Sequence, residues 1–152
     1  MGFFSRTIRD EQWLAIVKPL YEESMPVMVA LGKLVANAPL PDDGDNVLRY
    51  ALNKLCPISK SLKDSPDPTS SEAYKAKKNM QSAMKNYIKG AKDGLAFYRG
   101  MSGEMGNIYR SGVGLNKIAE ATLGGVLRNF LQSTKSAQKA MEKANTYFST
   151  HL

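Results

Sequence analysis

The chain has 152 residues, of which 43% are hydrophobic and 23% charged, and its formal net charge is +7. This composition is that of one folded domain and excludes an intrinsically disordered chain. Residues 1–67 carry a net charge of −1 and residues 68–152 a net charge of +8, so the second half supplies the whole positive excess. Charge asymmetry of this kind bears on partners and solubility and does not specify a fold.

The sequence predicts a cytoplasmic protein without a transmembrane segment. Its longest apolar stretch, residues 26–40, is interrupted by Lys33 and is too short to span a bilayer. The first residues lack the apolar run of a signal peptide. The single cysteine, Cys56, cannot form an internal disulfide, which agrees with a reducing compartment.

Helical periodicity begins near the start of the chain, where apolar residues recur every three or four positions over residues 8–37. Thr7 is suited to capping this helix. Pro19 and Pro26 interrupt it, because proline lacks an N–H and clashes with the preceding turn. We therefore predict either one helix kinked at these prolines or two short helices, with Ser24 capping the second.

A second helix is predicted over residues 48–62, where the apolar spacing runs through Pro57 and favours a kink there. A Pro/Gly-rich loop precedes this helix, and the Ser-Pro-Asp-Pro run of residues 65–68 ends it. Thr69 and Glu72 have the spacing of a capping box at the start of the third helix.

The third helix has the clearest pattern. Its apolar residues fall on one arc of the helix and are Ala73, Ala76, Met80, Met84, Tyr87, Ile88, Ala91, Leu95 and Tyr98. Along one edge of this arc, Ala76, Ala83 and Gly90 recur every seven residues. Small side chains at that spacing allow a neighbouring helix to approach closely, so the arc is predicted to be core.

Glycines are frequent in residues 100–114, where we predict a short helix over 101–110 and a turn at Gly112–Gly114. A last helix is predicted from about residue 115 to residue 148, with a bend allowed at Gly124–Gly125. Four main helical segments joined by short links predict an all-α fold, an up-and-down bundle in which residues 1–152 form a single domain.

The residue types exclude most catalytic chemistry. The only histidine, His151, is the penultimate residue, so a histidine-based triad, a histidine-rich zinc site and a Glu-x-x-His di-iron site are not expected. Cys56 lies in an apolar stripe beside Pro57 and is predicted to be buried. The acidic residues at 22–23 and 42–45 are assigned to solvated helix and turn positions. We predict no catalytic residue, no metal and no cofactor.

Two weaker patterns leave alternatives open. Gly112-Val-Gly114 precedes a helix and has Arg110 and Lys117 beside it, which are the ingredients of an anion site at a helix N-terminus, although a flexible turn fits the spacing better. The eight methionines lie mostly near apolar faces and either line an adaptable groove or fill the core.

Basic residues form a stripe on each of the two long helices of the second half. The candidate anion-binding residues are Lys78, Lys85, Lys89, Lys92 and Arg99 on the third helix, Arg110 and Lys117 near the turn, and Arg128, Lys135 and Lys139 on the last helix. Such faces attract nucleic acid phosphates, an acidic protein or an anionic membrane. A solvated bundle face has the same spacing but usually mixes both signs of charge.

We therefore expect a non-enzymatic interaction or structural protein whose partner is another protein or a second copy of the chain. The alternative is a protein that binds nucleic acid or another polyanion through the basic stripes. The sequence has no zinc-finger or RNP pattern, and lysine outnumbers arginine in the stripes, which favours diffuse electrostatic binding over reading of individual bases.

Overall fold

The computed structural model describes residues 7–36, 41, 43–101 and 117–152, with only the backbone of 117–123. Most of this part is helical, in α1 (Asp10–Ala36), α2 (Gly44–Asp64), α3 (Ser71–Met101) and α4 (Lys117–His151). Two short strands, β1 (Thr7–Ile8) and β2 (Asp67–Pro68), pair in parallel. The four helices pack against one another, which confirms the predicted all-α bundle.

Successive helices run in opposite directions. The β1–β2 pair places the start of α1 beside the link between α2 and α3, and Trp13 of α1 packs on Phe148 near the end of α4, with ring centroids 6.0 Å apart. We call this the strand end of the bundle. At the opposite end, the Tyr98 hydroxyl of α3 donates a hydrogen bond to the Pro41 carbonyl just before α2 begins. The connectivity is therefore up-and-down.

α1 is one continuous helix through Pro19 and Pro26, so the prediction's alternative of two short helices is wrong. Each proline deprives the carbonyl four residues earlier of a hydrogen bond, and those carbonyls belong to Ala15 and Glu22. All four residues are exposed on the surface of α1. Water can therefore satisfy the freed carbonyls, and the helix continues.

The same reasoning explains α2, which runs through Pro57 as predicted. Pro57 and Asn53, the residue whose carbonyl loses its partner, are both exposed.

Ser24 of α1 is not a helix cap, contrary to prediction, because it is buried within the continuous helix. Its hydroxyl donates a hydrogen bond of 2.7 Å to the Tyr21 carbonyl, which satisfies the buried polar group.

The starts of α1 and α3 are linked to each other. Thr7 was predicted to cap α1, but this prediction is wrong, because Thr7 lies in β1. The residue before α1, Arg9, donates its N–H to the Gln12 side chain at 3.2 Å, which is the backward half of a capping box. Asp10 accepts a hydrogen bond from the Ser70 N–H at 3.1 Å, and bonds from the Ser70 hydroxyl and N–H hold the pKa of Asp10 below its ordinary value.

The cap of α3 is displaced by one residue from the predicted one. Ser70, and not Thr69, accepts the hydrogen bond of the Ala73 N–H, at 3.1 Å. The Thr69 hydroxyl instead donates to the Ile8 carbonyl of β1 at 2.8 Å. Ser70 therefore caps α3, whereas the adjacent Thr69 joins the strand pair to the start of this helix.

Lys77 fixes the link between α2 and α3 from inside the bundle. Its side chain is only 2% exposed, and its ammonium donates hydrogen bonds to the Ser65 carbonyl at 2.7 Å, the Pro66 carbonyl at 3.4 Å and the Asp67 carboxylate at 2.9 Å. These bonds satisfy the buried charge, which is the condition for burying an ammonium at all.

The core combines the apolar faces of all four helices. Every helix supplies completely buried side chains, among them Trp13, Val17, Leu31, Leu48, Leu55, Leu62, Met80, Met84, Ala91, Phe130, Ala137 and Ala144. The predicted apolar arc of α3 is confirmed as core, with Ile88, Leu95 and Tyr98 at its partly buried margin. Within the described ranges, no helix is long and apolar enough to cross a membrane.

The α3–α4 pair has the most extensive contact between two helices of the bundle. The two helices approach closely at Gly90, where an added methyl group would lie 3.0 Å from the Thr134 hydroxyl and 3.4 Å from the Phe130 carbonyl oxygen. Ala76 and Ala83 are also buried at the same heptad spacing. The predicted close helix contact is thus confirmed. Apart from Met101, which ends α3, the predicted 101–110 helix and the Gly112–Gly114 turn lie outside the described residues.

We expect Gly90→Leu to lower the free energy of unfolding by about 1–3 kcal/mol, because the side chain must displace the α4 backbone. Gly125→Leu is the matched control, since no atom lies within 4 Å of a methyl group added there. The control should leave stability unchanged or raise it by up to about 1 kcal/mol, because leucine favours helix. Urea unfolding measures both, and equal effects would contradict the close contact.

Lys77→Met should destabilise the protein by about 2–3 kcal/mol, because two carbonyls and a carboxylate lose their buried donor. The loss of stability should be smaller than that for a fully buried ion pair, because Asp67 is 31% exposed. Lys78→Met, one residue further along and exposed, should change stability by less than about 0.5 kcal/mol. Thermal and urea unfolding would show the contrast, and a stable Lys77→Met variant would disprove it.

Candidate anion-binding face

The stripe predicted on α3 is fully on the surface. Lys78, Lys85, Lys89, Lys92 and Arg99 are all exposed. The ammonium of Lys78 lies over the ring of Tyr74, 5.2 Å from its centroid, which is within cation–π range. The stripe follows from the amphipathic pattern of α3, because the adjoining arc of the helix is buried.

The stripe predicted on α4 is only partly described. Arg128, Lys135 and Lys139 are exposed on the side of α4 away from the buried Phe130 and Ala137. The two remaining candidates have no described side chain: Arg110 lies outside the described residues, and of Lys117 the structure gives only the helical backbone at the start of α4. The predicted anion site at the Gly112–Gly114 turn lies outside them as well.

A groove of about 540 Å³ runs between α3 and α4 near the strand end. Lys75 of α3 and Lys143 of α4 line it from opposite sides. Lys78 follows Lys75 by three residues and Lys139 precedes Lys143 by four, so each groove lysine is a surface neighbour of one stripe. We use the name basic face for the two stripes together with Lys75 and Lys143, all of which lie on these two neighbouring helices.

Sequence reasoning did not identify Lys75 and Lys143 as part of this surface. Each lies at the margin between the basic stripe and the apolar arc of its own helix, where neither pattern selects it. Their relation depends on the pairing of α3 with α4 and on the register that the small residues allow. No pattern within either helix alone contains that information.

Few acidic side chains accompany the basic face. The acidic side chains described on α3 and α4 are those of Glu72, Asp93 and Glu142, since of Glu120 only the backbone is described. The exposed lysines and arginines described on the same two helices are more numerous and include Lys75 and Lys143. The ion pairs found in the described part of the chain are Arg49–Asp45 on α2 and the buried Lys77–Asp67. The lysines of the basic face thus have no carboxylate partner among the described side chains.

The charge of the other helix pair is balanced. α1 and α2 together carry Lys18, Lys33, Arg49, Lys54, Lys60 and Lys63 against Asp10, Glu11, Glu22, Glu23, Asp45 and Asp64. The positive excess of the sequence is therefore concentrated on one pair of neighbouring helices and is not spread over the bundle. A surface whose only task is solubility usually mixes both signs of charge, as α1 and α2 do.

Acidic residues lie near the strand end of the groove. Burial raises the pKa of Tyr147, and the charges of Asp10, Glu72 and Glu11 raise it further. Lys85, Lys89, Lys135 and Lys139 lie further from the strand end along α3 and α4.

His151 ends α4, and its ring stacks on that of Tyr147 with centroids 4.0 Å apart and an interplanar angle of 15°. One ring nitrogen, Nδ1, lies 2.8 Å from the Tyr147 carbonyl oxygen. The described residues contain no group of three or more His, Cys, Asp and Glu side chains that could hold a metal ion.

Cys56 is exposed, so its predicted burial is wrong. It lies next to Leu55 in the apolar stripe of α2, but one residue turns a helix by about 100°, which carries Cys56 out of the core. The described acidic residues of the two predicted solvated groups, Glu22, Glu23 and Asp43, are exposed, and Asp45 pairs with Arg49 in the first turn of α2 at 2.9 Å.

Comparison with known proteins gives no relative for this chain, since no family model, no curated protein and no solved structure matches it.

We expect Cys56 to react with a thiol reagent such as Ellman's reagent in the native protein as completely as in the denatured one, because its side chain is exposed. The chain has one cysteine, so the reaction reports on this position alone. A thiol that reacts only after denaturant is added would contradict the exposed position.

Proposed function

We propose that this chain is a non-enzymatic interaction protein whose basic face binds a polyanion, with nucleic acid as the partner. The observation that carries the proposal is the concentration of exposed, carboxylate-free lysines on α3 and α4, next to a helix pair of balanced charge. A bundle needs no such concentration for its own stability. Repulsion between like charges on one face is unfavourable, and a bound polyanion removes it.

The chemistry of the face supports phosphate contacts along a backbone more than the reading of base edges. Its described members are mostly lysines, which act as flexible point charges, whereas bidentate recognition of guanine needs arginine. Lysines recur along α3 from Lys75 to Lys92, a rise of about 25 Å at 1.5 Å per residue. That length spans several phosphates of one strand, so we propose binding that depends weakly on sequence.

The exposed Cys56 is the only cysteine of the chain. An exposed thiol that keeps its reduced form is suited to the cytoplasm, which remains our proposal for the location.

The test is binding of a fluorescent mixed-sequence 30-nucleotide strand and of the corresponding duplex, measured by anisotropy from low to physiological salt. We expect the association constant to fall linearly with salt on a log–log scale, by a power of about 0.7–0.9 for each phosphate contacted. Lys85→Glu combined with Lys89→Glu should weaken binding at least tenfold at low salt and flatten this slope, because both lysines are exposed on the α3 stripe.

The matched control is Lys54→Glu combined with Lys60→Glu, which changes the net charge equally on exposed positions of α2. This control should weaken binding by less than about threefold, through long-range attraction alone. Equal losses in both double variants, or no binding of either nucleic acid at low salt, would reject the proposal. Stronger binding to anionic vesicles or to an acidic peptide than to either nucleic acid would replace nucleic acid as the partner.

A further inference from the structure

A second groove, of about 400 Å³, runs between α1 and α4 on another side of the bundle. It lies between two points where these helices meet. At one, the Tyr21 hydroxyl donates a hydrogen bond of 2.7 Å to the Asn145 side-chain oxygen. At the other, a methyl group added to Gly32 would lie 3.5 Å from the amide nitrogen of Gln138. From Tyr21 to Gly32, α1 rises by about 16 Å, or three turns.

Methionines give this groove its apolar surface. Met28 and Met141 are buried along it, whereas Met25 is 37% and Val29 is 51% exposed. Met80 and Met84 fill the core, Met28 and Met141 belong to the core and also line this groove, and Met25 lies at the groove surface. Unbranched, polarisable methionine side chains adapt to varied apolar partners, and exposed apolar side chains one turn apart are typical of contact surfaces.

The polar groups of the groove are acidic or neutral. Glu142 lies in its lining and is the only acidic residue among the described side chains of α4. Glu22 is exposed one turn before Met25 on the same side of α1. Tyr87 is 3% exposed and reaches the groove from α3, yet its hydroxyl has no hydrogen-bond partner among the described residues.

The Tyr87 hydroxyl stays a neutral donor at any physiological pH. Burial, and then the charge of Glu142, raise the pKa of Tyr87 to about 12. A hydroxyl within an apolar groove is suited to bind an acceptor of an incoming ligand.

We propose that this groove, with Met25, Val29 and Glu142 at its surface, is a docking site for a basic amphipathic helix of a partner protein. An open groove between two helices, lined with methionine, accepts one or two apolar side chains at i and i+4 spacing. The carboxylates of Glu142 and Glu22 attract the lysines or arginines that flank such side chains. An acidic helix is unsuited to the groove, because these carboxylates repel it and the basic face attracts it to a different surface.

The probe is a leucine/lysine helical peptide of about 18 residues, five turns, with leucines at i and i+4 spacing. A peptide with the same leucines and glutamate in place of lysine is the matched control. Binding is followed by anisotropy and by NMR of protein labelled at its methionine methyl groups. The leucine/lysine peptide should bind saturably and shift the Met25, Met28 and Met141 methyl signals, while Met80 and Met84 in the core should not move.

Two variants and one control locate the site. Val29→Ser should weaken binding of the leucine/lysine peptide about tenfold, whereas the control Ile16→Ser, at another exposed apolar position of α1, should weaken it less than twofold. Glu142→Lys should weaken binding at low salt and reduce its salt dependence. All three positions are exposed, and circular dichroism checks that each variant is folded.

The outcomes separate this proposal from polyanion binding. The leucine/lysine peptide is repelled by the basic face, so its binding cannot arise there, whereas a leucine/glutamate peptide that binds without moving the groove methyl signals reports the basic face alone. Groove signals that stay fixed, or equal losses in Val29→Ser and Ile16→Ser, would overturn the docking site. A concentration-dependent molecular mass that Val29→Ser abolishes would replace the partner helix with a second copy of the chain.

Discussion

The close contact of α3 with α4 is the constraint on which the remaining structure depends. It requires small residues at heptad spacing, and at Gly90 even an added methyl group would be tight, at 3.0 Å from the Thr134 hydroxyl and 3.4 Å from the Phe130 carbonyl oxygen. The contact fixes the register of two long helices and so decides which lysines become neighbours across them. Lys75 and Lys143 line one groove only because this register holds. The same residues that pack the core therefore place these two lysines on either side of the groove.

The lysines of α3 show how position on one helix changes the role of a single residue type. Lys77 follows Ala73 by four residues and precedes Met80 by three, so it lies on the apolar arc and is buried with three hydrogen bonds. Lys78, one residue later, is turned by about 100° and reaches solvent beside Tyr74. The net charge of α3 therefore overstates the charge available to a partner, because one ammonium is already neutralised inside the protein.

Periodicity was sufficient to predict the four helices, their order and most of the core, because apolar spacing reports directly on which side of a helix is buried. Periodicity failed where contacts with a neighbouring element or with solvent determine the local structure. Ser70 caps α3 in preference to Thr69 because Thr69 bonds to β1. The prolines of α1 do not break the helix, because they and the residues whose carbonyls lose a hydrogen bond are exposed to water. The local sequence does not show that exposure. The stripes were predictable from each helix alone. The groove lined by Lys75 and Lys143, and the methionine-lined groove between α1 and α4, which we call the methionine groove, depend on how the helices pair.

α4 presents opposite chemistry on two of its sides. Glu142 lines the methionine groove beside α1, and the next residue, Lys143, lines the groove beside α3, because one residue turns the helix by about 100°. The two surfaces nevertheless adjoin on α4, because Lys139 of the basic face precedes Glu142 by three residues and both are exposed. Residues at that spacing are about 5–6 Å apart at their Cβ atoms, which is less than the Debye length of about 8 Å at physiological salt. A basic partner in the methionine groove and an anionic partner on the basic face would therefore attract each other across this side of α4, and each should favour binding of the other.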